Sequence, residues 1–185
     1  AVVEKKREEH KSYLSVLSLS QNYNSIIMQN LIYAAAHQEN LKLRTYYELA
    51  HKINLSLMEG EGVILLLQID LERMLLSGVP LREASVYQMI LAQYTAELLS
   101  DADHVTSCAM PDQNGATLVF LDGDNPTELQ NSSQALFDSV ANYLSNTMDV
   151  MIYAAVGTPV NDILQLDVSY LQARSALVKR LKSGV

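Results

Sequence analysis

The sequence predicts an α+β fold in which a sheet-forming unit follows a helical lead-in. Neither glycine nor proline occurs before Gly60, so the first third of the chain can run as nearly continuous helix. After Gly60, short apolar runs of strand length alternate with longer stretches at helical spacing. A chain of 185 residues can bury one full core and an appended element. We therefore expect a helical lead-in or linker over residues 1–58 and one domain over residues 59–185.

The composition excludes several classes of function. There are 13 Lys and Arg against 21 Asp and Glu, a net charge of −8, whereas DNA binding draws most of its affinity from cations that neutralise phosphate. We therefore expect no DNA binding by this segment. Its single cysteine, Cys108, cannot form an internal disulfide, which favours a reducing, cytoplasmic location. No apolar run reaches the roughly 18 residues that cross a bilayer, so we expect no membrane contact by this segment.

The lead-in begins with a mixed-sign charge run over residues 4–11 and continues with apolar residues at helical spacing. One long helix, or two with a break near residues 20–22, fits this pattern, and another helix follows over residues 40–52. The apolar stripe consists of Tyr13, Val16, Leu17, Tyr23, Ile27 and Leu31. Such a stripe needs a partner, and two hypotheses stay open: self-association into a homodimer, or packing on the chain's own core. Under the first, residues after Gly60 would fold without the lead-in.

Four strands and three long helices are predicted after Gly60. The apolar run over residues 63–70 is typical of a buried strand, and Pro80 is well placed to open a helix over residues 81–99. Asn114-Gly115 predicts a hairpin between strands at residues 104–110 and 116–121. Pro126 opens the next helix, a strand follows at residues 150–156, and the last helix covers residues 166–182. The order β-α-β-β-α-β is that of the split ferredoxin-like unit.

Recognisable catalytic or metal-binding motifs are missing. The four histidines, His10, His37, His51 and His104, share no metal-ligand spacing, so we expect each at the surface or an edge. There is no phosphate-binding glycine loop and no nucleophile elbow, and Cys108 is expected to be a buried, inert thiol. Five aspartates flank the hairpin, where turn chemistry is the favoured interpretation and a cation site the alternative: Asp101, Asp103, Asp112, Asp122 and Asp124.

The last strand and helix resemble a known family. A strand ending at Gly157 is followed by a helix with the pattern Ser-Tyr-x-x-Ala-x-x-Ala-Leu, here starting at Ser169. This segment is similar to the end of GGDEF-type nucleotidyl-cyclase domains. More closely, it resembles the degenerate GGDEF-like region of AraC-family transcription regulators and of their two-component response-regulator relatives. The resemblance covers residues 63–184 well and the preceding helices more weakly.

At the positions that matter for catalysis, the sequence departs from the active cyclases it resembles. Their signature lies on the hairpin, where residues 113–117 here read Gln-Asn-Gly-Ala-Thr and the acidic residue is missing. Their first strand ends in Asp-x-Asp, but here Gln68 takes the first position and only Asp70 is acidic. Two-metal phosphoryl chemistry needs carboxylates to hold the cations. We therefore expect no cyclase activity, no enzyme and no cofactor.

Three hypotheses about function follow. The resemblance implies a non-catalytic sensory or signal-transmitting domain that couples an upstream input to a DNA-binding domain outside this chain. Its partners would be a second copy, bound through the N-terminal helices, and DNA only through that other domain. The alternative is a module that keeps a nucleotide or small-molecule pocket at the degenerate site, with Gln68, Asp70, Asn114 and Gly115 as candidate residues. The third is an enzyme of unrecognised chemistry.

Overall fold

A computed structural model describes residues 1–100 and 107–183, and within the first helix it describes the side chains of residues 1–11 and 23–36. The fold is α+β, as predicted. Its elements are α1 (Val2–Ala36), α2 (Asn40–Lys52), β1 (Glu61–Ile69), α3 (Leu71–Leu76), α4 (Leu81–Ser100), β2 (Cys108–Pro111), β3 (Thr117–Gly123), α5 (Pro126–Met148), β4 (Ile152–Val156) and α6 (Leu166–Ser183).

The four strands form one antiparallel sheet in the order β2-β3-β1-β4. Strand β1 is central, and its Leu65 pairs with Val119 of β3 on one side and with Val156 of β4 on the other. A strand with neighbours on both sides and helices on both faces is buried all round, which explains its continuous apolar sequence. Strands β2 and β4 are left as the edges of the sheet.

Alternate side chains of β1 divide the interior into two cores. Val63, Leu65 and Leu67 belong to the core under α4 and α5, while Ile64 and Leu66 belong to the core under α1, α2 and α6. This alternation follows from the two-residue period of a strand. The molecule therefore has three layers, with the sheet between two layers of helices.

Helix α1 is continuous through residues 20–22, so the single-helix interpretation is confirmed. Residues 1–11 are exposed, whereas Leu31 and Ile32 are completely buried against the sheet layer. Over residues 27–36, the apolar stripe thus packs on the chain's own core, although Tyr23 is 66% exposed. The side chains of Tyr13, Val16 and Leu17 lie outside the described residues. Residues on both sides of the predicted boundary at residues 58 and 59 share a core, and the division into domains stays a prediction.

The predicted hairpin joins β2 to β3. Asn114 and Gly115 have φ angles of 60° and 75°, the left-handed conformation that Asn-Gly adopts readily. Asp101, Asp103 and His104 lie outside the described residues, so the start of the predicted first hairpin strand stays a prediction. The short helix α3 was not anticipated from the sequence. No helix in the described ranges is long and apolar enough to cross a membrane.

Candidate functional site

Two of the four predicted site residues come together at the end of β1. The Gln68 side chain donates a hydrogen bond through Nε2 to the Asn114 carbonyl oxygen, at 3.4 Å. The contact arises because β3 pairs with β1 up to Leu67 and Thr117, which brings the hairpin turn beside the next residue of β1. At the position where the resemblance places the cyclase signature, a neutral amide therefore bonds to a backbone carbonyl.

Gly115, the third predicted residue, lies under the side chain of Gln88 from α4. A Cβ atom at Gly115 would overlap the Gln88 amide, and the left-handed φ of 75° independently favours glycine. Gln88 is a residue that the sequence analysis missed, because a single glutamine in an amphipathic helix carries no motif. Its amide and that of Gln68 make this end of the sheet polar but uncharged.

The fourth predicted residue, Asp70, acts as a helix cap. Its Oδ1 accepts the Arg73 backbone N–H at 3.1 Å at the start of α3, and its Oδ2 accepts the Tyr153 hydroxyl at 3.1 Å. Partial burial, together with this hydrogen bond, raises the pKa of Tyr153, so the tyrosine remains a neutral donor. Both oxygens of Asp70 thus have protein partners. Across residues 1–100 and 107–183, no group of three or more His, Cys, Asp and Glu side chains could hold a metal ion.

The most buried carboxylate contact of the hairpin is made by Asp112, whose side chain has no exposed surface. Its Oδ1 lies 2.7 Å from Nε2 of His37 at the end of α1, and its Oδ2 accepts the Tyr170 hydroxyl of α6 at 2.9 Å. We call Asp112, His37 and Tyr170 the polar hub. Both the turn-chemistry and the cation-site interpretations are wrong for Asp112, because its side chain points into the molecule and bonds to two helices.

The aromatic rings of α1 and α6 enclose the histidine of the hub. The His37 ring centroid lies 4.3 Å from that of Tyr33 and 4.4 Å from that of Tyr170. Burial, reinforced by the Asp112 carboxylate, raises the pKa of both tyrosines, so both remain neutral near pH 7. His37 was expected at the surface or an edge; its side chain is 9% exposed and lies where the end of α1 meets the hairpin. The hub therefore joins three elements: α1, the hairpin and α6.

His10 and His51 are exposed, as expected, whereas Cys108 is partly buried instead of fully buried. Burial, with a smaller effect of the Asp122 carboxylate, raises the pKa of the Cys108 thiol to about 12. The thiolate is the reactive form of cysteine, so Cys108 is an inert thiol near neutral pH. Asp122 accepts a hydrogen bond from the Ser107 hydroxyl at 2.9 Å.

Two residues of the quoted helix pattern hold α6 in place. The buried Ser169 hydroxyl accepts the Ile64 backbone N–H at 2.9 Å, and the Ser169 backbone lies so close to Gly157 that a Cβ atom would not fit there. The next residue, Tyr170, reaches the polar hub. The Ser-Tyr pair was visible in the sequence as part of the resemblance, but its partners were not, because they lie more than 50 residues away.

The chain matches no protein-family model, and no curated protein matches it closely. The resemblance to degenerate GGDEF-like regions therefore remains an expectation from residues 63–184. Conclusions about function must come from the geometry of the chain itself. That geometry offers an uncharged amide cluster at Gln68 and a buried hub that joins the first helix, the hairpin and the last helix.

Proposed function

We propose that this chain is a non-catalytic, signal-transmitting domain of a bacterial-type transcription regulator, with a degenerate GGDEF-like fold. It would couple an upstream input to a DNA-binding domain outside the chain, as in AraC-family or two-component response regulators. Two properties of the described residues support this: the sheet topology, and the connection between the first and last helices. The proposal places the domain in the cytoplasm, in keeping with its single thiol and with regulation of transcription.

The strand order supports the proposed fold. In a split β-α-β unit, the two strands that flank the helix leave room for a third strand between them, and two interleaved units give an antiparallel sheet with the first strand in the centre. The order β2-β3-β1-β4, with β1 between β3 and β4, has this property. Helices α4 and α5 cover the same face of the sheet, as two such crossover connections require.

The observation that carries the proposal is the double contact of Asp112. Its carboxylate, two positions before Asn114 in the sequence, bonds to His37 at the end of α1 and to Tyr170 of α6. A displacement of α1 would move His37. It would thereby change how well Asp112 can accept the hydrogen bond from Tyr170 of α6. Coupling of this kind needs a connected set of groups whose arrangement both ends can influence. Buried, hydrogen-bonded polar groups can form such a set, because each bond depends strongly on the position of its partner.

The exposed start of α1 supports a proposed homodimer. Residues 1–11 are exposed, and α1 at 35 residues is about 50 Å long, longer than the part that packs on the sheet layer. A symmetric pair of such helices would bring two copies together and would suit a regulator that reads a two-fold DNA site. DNA contact is assigned to another domain, because this chain carries a net charge of −8.

The central experiment measures transcription from the target promoter with the intact regulator that carries this chain. We expect Asp112→Asn, which weakens the hydrogen bonds to both helices, to change the difference between induced and uninduced output at least about fivefold. Asp138→Asn is the matched control, since Asp138 is exposed on α5. Equal protein levels must be confirmed by immunoblotting. Unchanged induction in the Asp112 variant would overturn the proposed coupling.

A second experiment tests the absence of catalysis. We expect no cyclic dinucleotide when the chain is incubated with GTP and either magnesium or manganese, because Gln68 replaces one metal-binding carboxylate and the hairpin supplies none. Mass spectrometry of the reaction mixture is the measurement. Cyclic dinucleotide above the level of a protein-free control would contradict this expectation and favour the enzyme hypothesis.

The alternative function, a nucleotide or small-molecule site at Gln68, Asp70, Asn114 and Gly115, receives less support. The Gln68 amide already donates to the Asn114 carbonyl oxygen. Asp70 caps α3 and accepts the Tyr153 hydroxyl, and Gly115 is covered by Gln88. A ligand would have to displace these contacts. A rise in the melting temperature with GTP, together with its loss in Gln68→Ala, would favour this alternative.

A further inference from the structure

A cavity of about 500 Å³ lies beside the edge strand β4, between α5 and the end of α6. The inner wall comes from the central strand and from α5. Its apolar lining includes Val63, Leu65, Leu129, Phe137 and Ala154. The volume falls within the roughly 300–1,000 Å³ of small-molecule pockets. Its size and position distinguish it from a packing defect, which is seldom larger than a water molecule.

Small residues on two facing elements create this space. On α5, the buried residues Leu129, Val140 and Leu144 form the inner stripe, but the stripe is interrupted by Ser133. On the facing strand β4, the small side chain of Ala154 lines the cavity. Ile152, two positions earlier on the same face of β4, carries a much larger side chain. A leucine-sized residue at Ser133 would fit the helical pattern and close the gap, so the sequence leaves the cavity open at a position where a core would normally be filled.

An unpartnered hydroxyl group lies in the wall of this cavity. Ser133 is 2% exposed, and its Oγ has no hydrogen-bond partner. Buried polar groups are nearly always hydrogen-bonded, since leaving one unpaired costs free energy. Ser133 does not use the common alternative for a helical serine, a bond to the carbonyl one turn back. Because the hydroxyl oxygen itself has almost no exposed surface, Ser133 contributes to the cavity through its small volume.

The opposite end of the cavity carries a positive charge. Arg180 reaches from α6 to the edge of the sheet, where its Nη1 donates to the Ala154 carbonyl oxygen at 2.6 Å. Within the described ranges, no carboxylate lies within 4.0 Å of its guanidinium, and no acidic residue lines the cavity. A guanidinium has five N–H donors in a planar fork, so further donors remain for an anion. Gln130 and Gln134 add neutral polar groups.

We propose that this cavity binds a small organic carboxylate with an apolar body. Arg180 would hold the carboxylate, as planar guanidinium groups do in paired hydrogen bonds, and the apolar wall would cover the hydrocarbon part. The site is separate from the degenerate cyclase site. It lies where Leu65 pairs with Val156, whereas Gln68 pairs with Tyr153 towards the other end of β4. It requires neither the GGDEF resemblance nor a role in transcription.

Binding is tested with hexanoate and benzoate as probes and with hexanamide and benzamide as neutral controls of the same shape. Proton–nitrogen NMR spectra of the isotope-labelled full chain, titrated with each probe, are the measurement. We expect saturable shifts for at least one carboxylate at residues of the cavity, including Ser133 and Ala154, and at least about tenfold weaker binding of its amide. Absence of saturable shifts with both carboxylates at 10 mM, on the order of the weakest specific affinities, would overturn the proposal.

One variant tests the polar contact. Arg180→Gln should weaken carboxylate binding at least about tenfold. Lys179→Gln removes the same charge from the neighbouring position of α6, and Ser139→Ala removes an exposed hydroxyl from α5, so both should leave the affinity unchanged. Each variant is first checked for an unchanged fold from its spectrum.

The amide probes and the control variants define the results that would contradict binding at Arg180 in this cavity. Equal affinity for hexanoate and hexanamide would refute the role of Arg180, as would equal losses in Arg180→Gln and Lys179→Gln. Shifts confined to Gln68, Asn114 and Gln88 would place the ligand at the degenerate site and overturn the inference. If Arg180→Gln were to unfold, Arg180→Lys provides the second test, because it keeps the charge but loses the planar fork, and an unchanged affinity in that variant would also count against the proposal.

Discussion

The two faces of the sheet are packed by different means. Under α1, α2 and α6, the core includes the polar hub, in which one buried carboxylate bonds to side chains of two helices. Under α4 and α5, the core is almost wholly apolar. Its buried polar members include Thr117 of β3, Thr95, whose hydroxyl bonds within its own helix to the Leu91 carbonyl at 2.7 Å, and the unpartnered Ser133. One face is held by directional bonds and the other by apolar contact around a cavity.

This difference separates the positioning of helices from the accommodation of a ligand. Hydrogen bonds to Asp112 fix where α1 and α6 lie relative to the hairpin, because buried polar groups tolerate few other arrangements. Apolar contacts specify position less sharply and adjust to a change in volume at modest cost. The hub face is thus suited to relaying movement between helices, and the cavity face is suited to binding.

The largest effect should come from removing the helical cover of the hub face. A chain that starts at Met58 lacks Ile27, Met28, Leu31 and Ile32, which are all buried. Each contributes about 1.5–3 kcal/mol, so together they rival the whole stability of a typical domain, about 5–15 kcal/mol. We therefore expect this truncated chain not to fold, in contrast to the expectation from the sequence. Circular dichroism during thermal unfolding is the measurement.

A second truncation provides the control for this experiment. Removal of residues 1–11, which are exposed, should change the free energy of unfolding by less than about 0.5 kcal/mol. Cooperative unfolding of the chain that starts at Met58 would show that this face of the sheet is stable without α1 and α2. The predicted domain boundary at residues 58 and 59 would then be supported.

The second effect concerns the hub itself. Asp112→Ala leaves His37 and Tyr170 buried without their shared acceptor, and we expect the free energy of unfolding to fall by about 2–4 kcal/mol. Tyr170→Phe removes only one of the hydrogen bonds and should cost about 1 kcal/mol. Urea denaturation monitored by circular dichroism gives both values. A loss below about 1 kcal/mol in Asp112→Ala would mean that the two faces depend equally on apolar contact.

A third prediction concerns alkaline pH. Burial raises the pKa of Cys108 to about 12 and also raises that of Tyr170, so the folded chain holds protons that the unfolded chain releases from about pH 9 upward. The sign follows from linkage: stability is fully present below pH 9 and falls as the pH rises, by up to about 1.4 kcal/mol per unit and per group.

Two variants test this pH dependence by urea denaturation between pH 8 and 11. Cys108→Ala should remove the loss of unfolding free energy that begins near pH 9. Tyr170→Phe should remove the loss that begins near the ordinary tyrosine pKa of about 10. Both residues belong to the hub face. A steep alkaline loss that persists in the double variant would locate its cause elsewhere in the molecule.

The smallest predicted effect is a gain in stability on the cavity face. Ser133→Ala removes an unpartnered buried hydroxyl and increases helix propensity, and we expect the free energy of unfolding to rise by about 0.5–1.5 kcal/mol. Ser139→Ala, on the exposed side of α5, reports the contribution of helix propensity alone. An equal gain in both variants, measured by urea denaturation, would mean that the Ser133 hydroxyl is not an unsatisfied group. A greater gain for Ser133→Ala is the expected result, because only that variant removes an unsatisfied buried hydroxyl.

The candidate site was predictable in part. Gln68 and Asn114 were selected because they occupy signature positions of the resembling family, and the register between β1 and β3 brings them together. Asp70 was selected for the same reason, but the chain uses it to begin α3, a helix too short to show a periodic pattern. Gln88 and Ser133 carried no sequence signal, because each is one polar residue in a helix and gains its meaning only from what packs against it.

By itself, the sequence determined the order of the elements and the hairpin. These depend on local chemistry: an apolar run long enough for a strand, the left-handed preference of Asn-Gly, and proline at the start of a helix. Only the tertiary structure decided which way Asp112 faces and what His37 contacts. Those two residues are separated by 75 positions, and the carboxylate meets the imidazole only because α1 packs across the sheet. A turn aspartate and a buried, hydrogen-bonded aspartate look the same in sequence, since burial is a property of the surrounding fold.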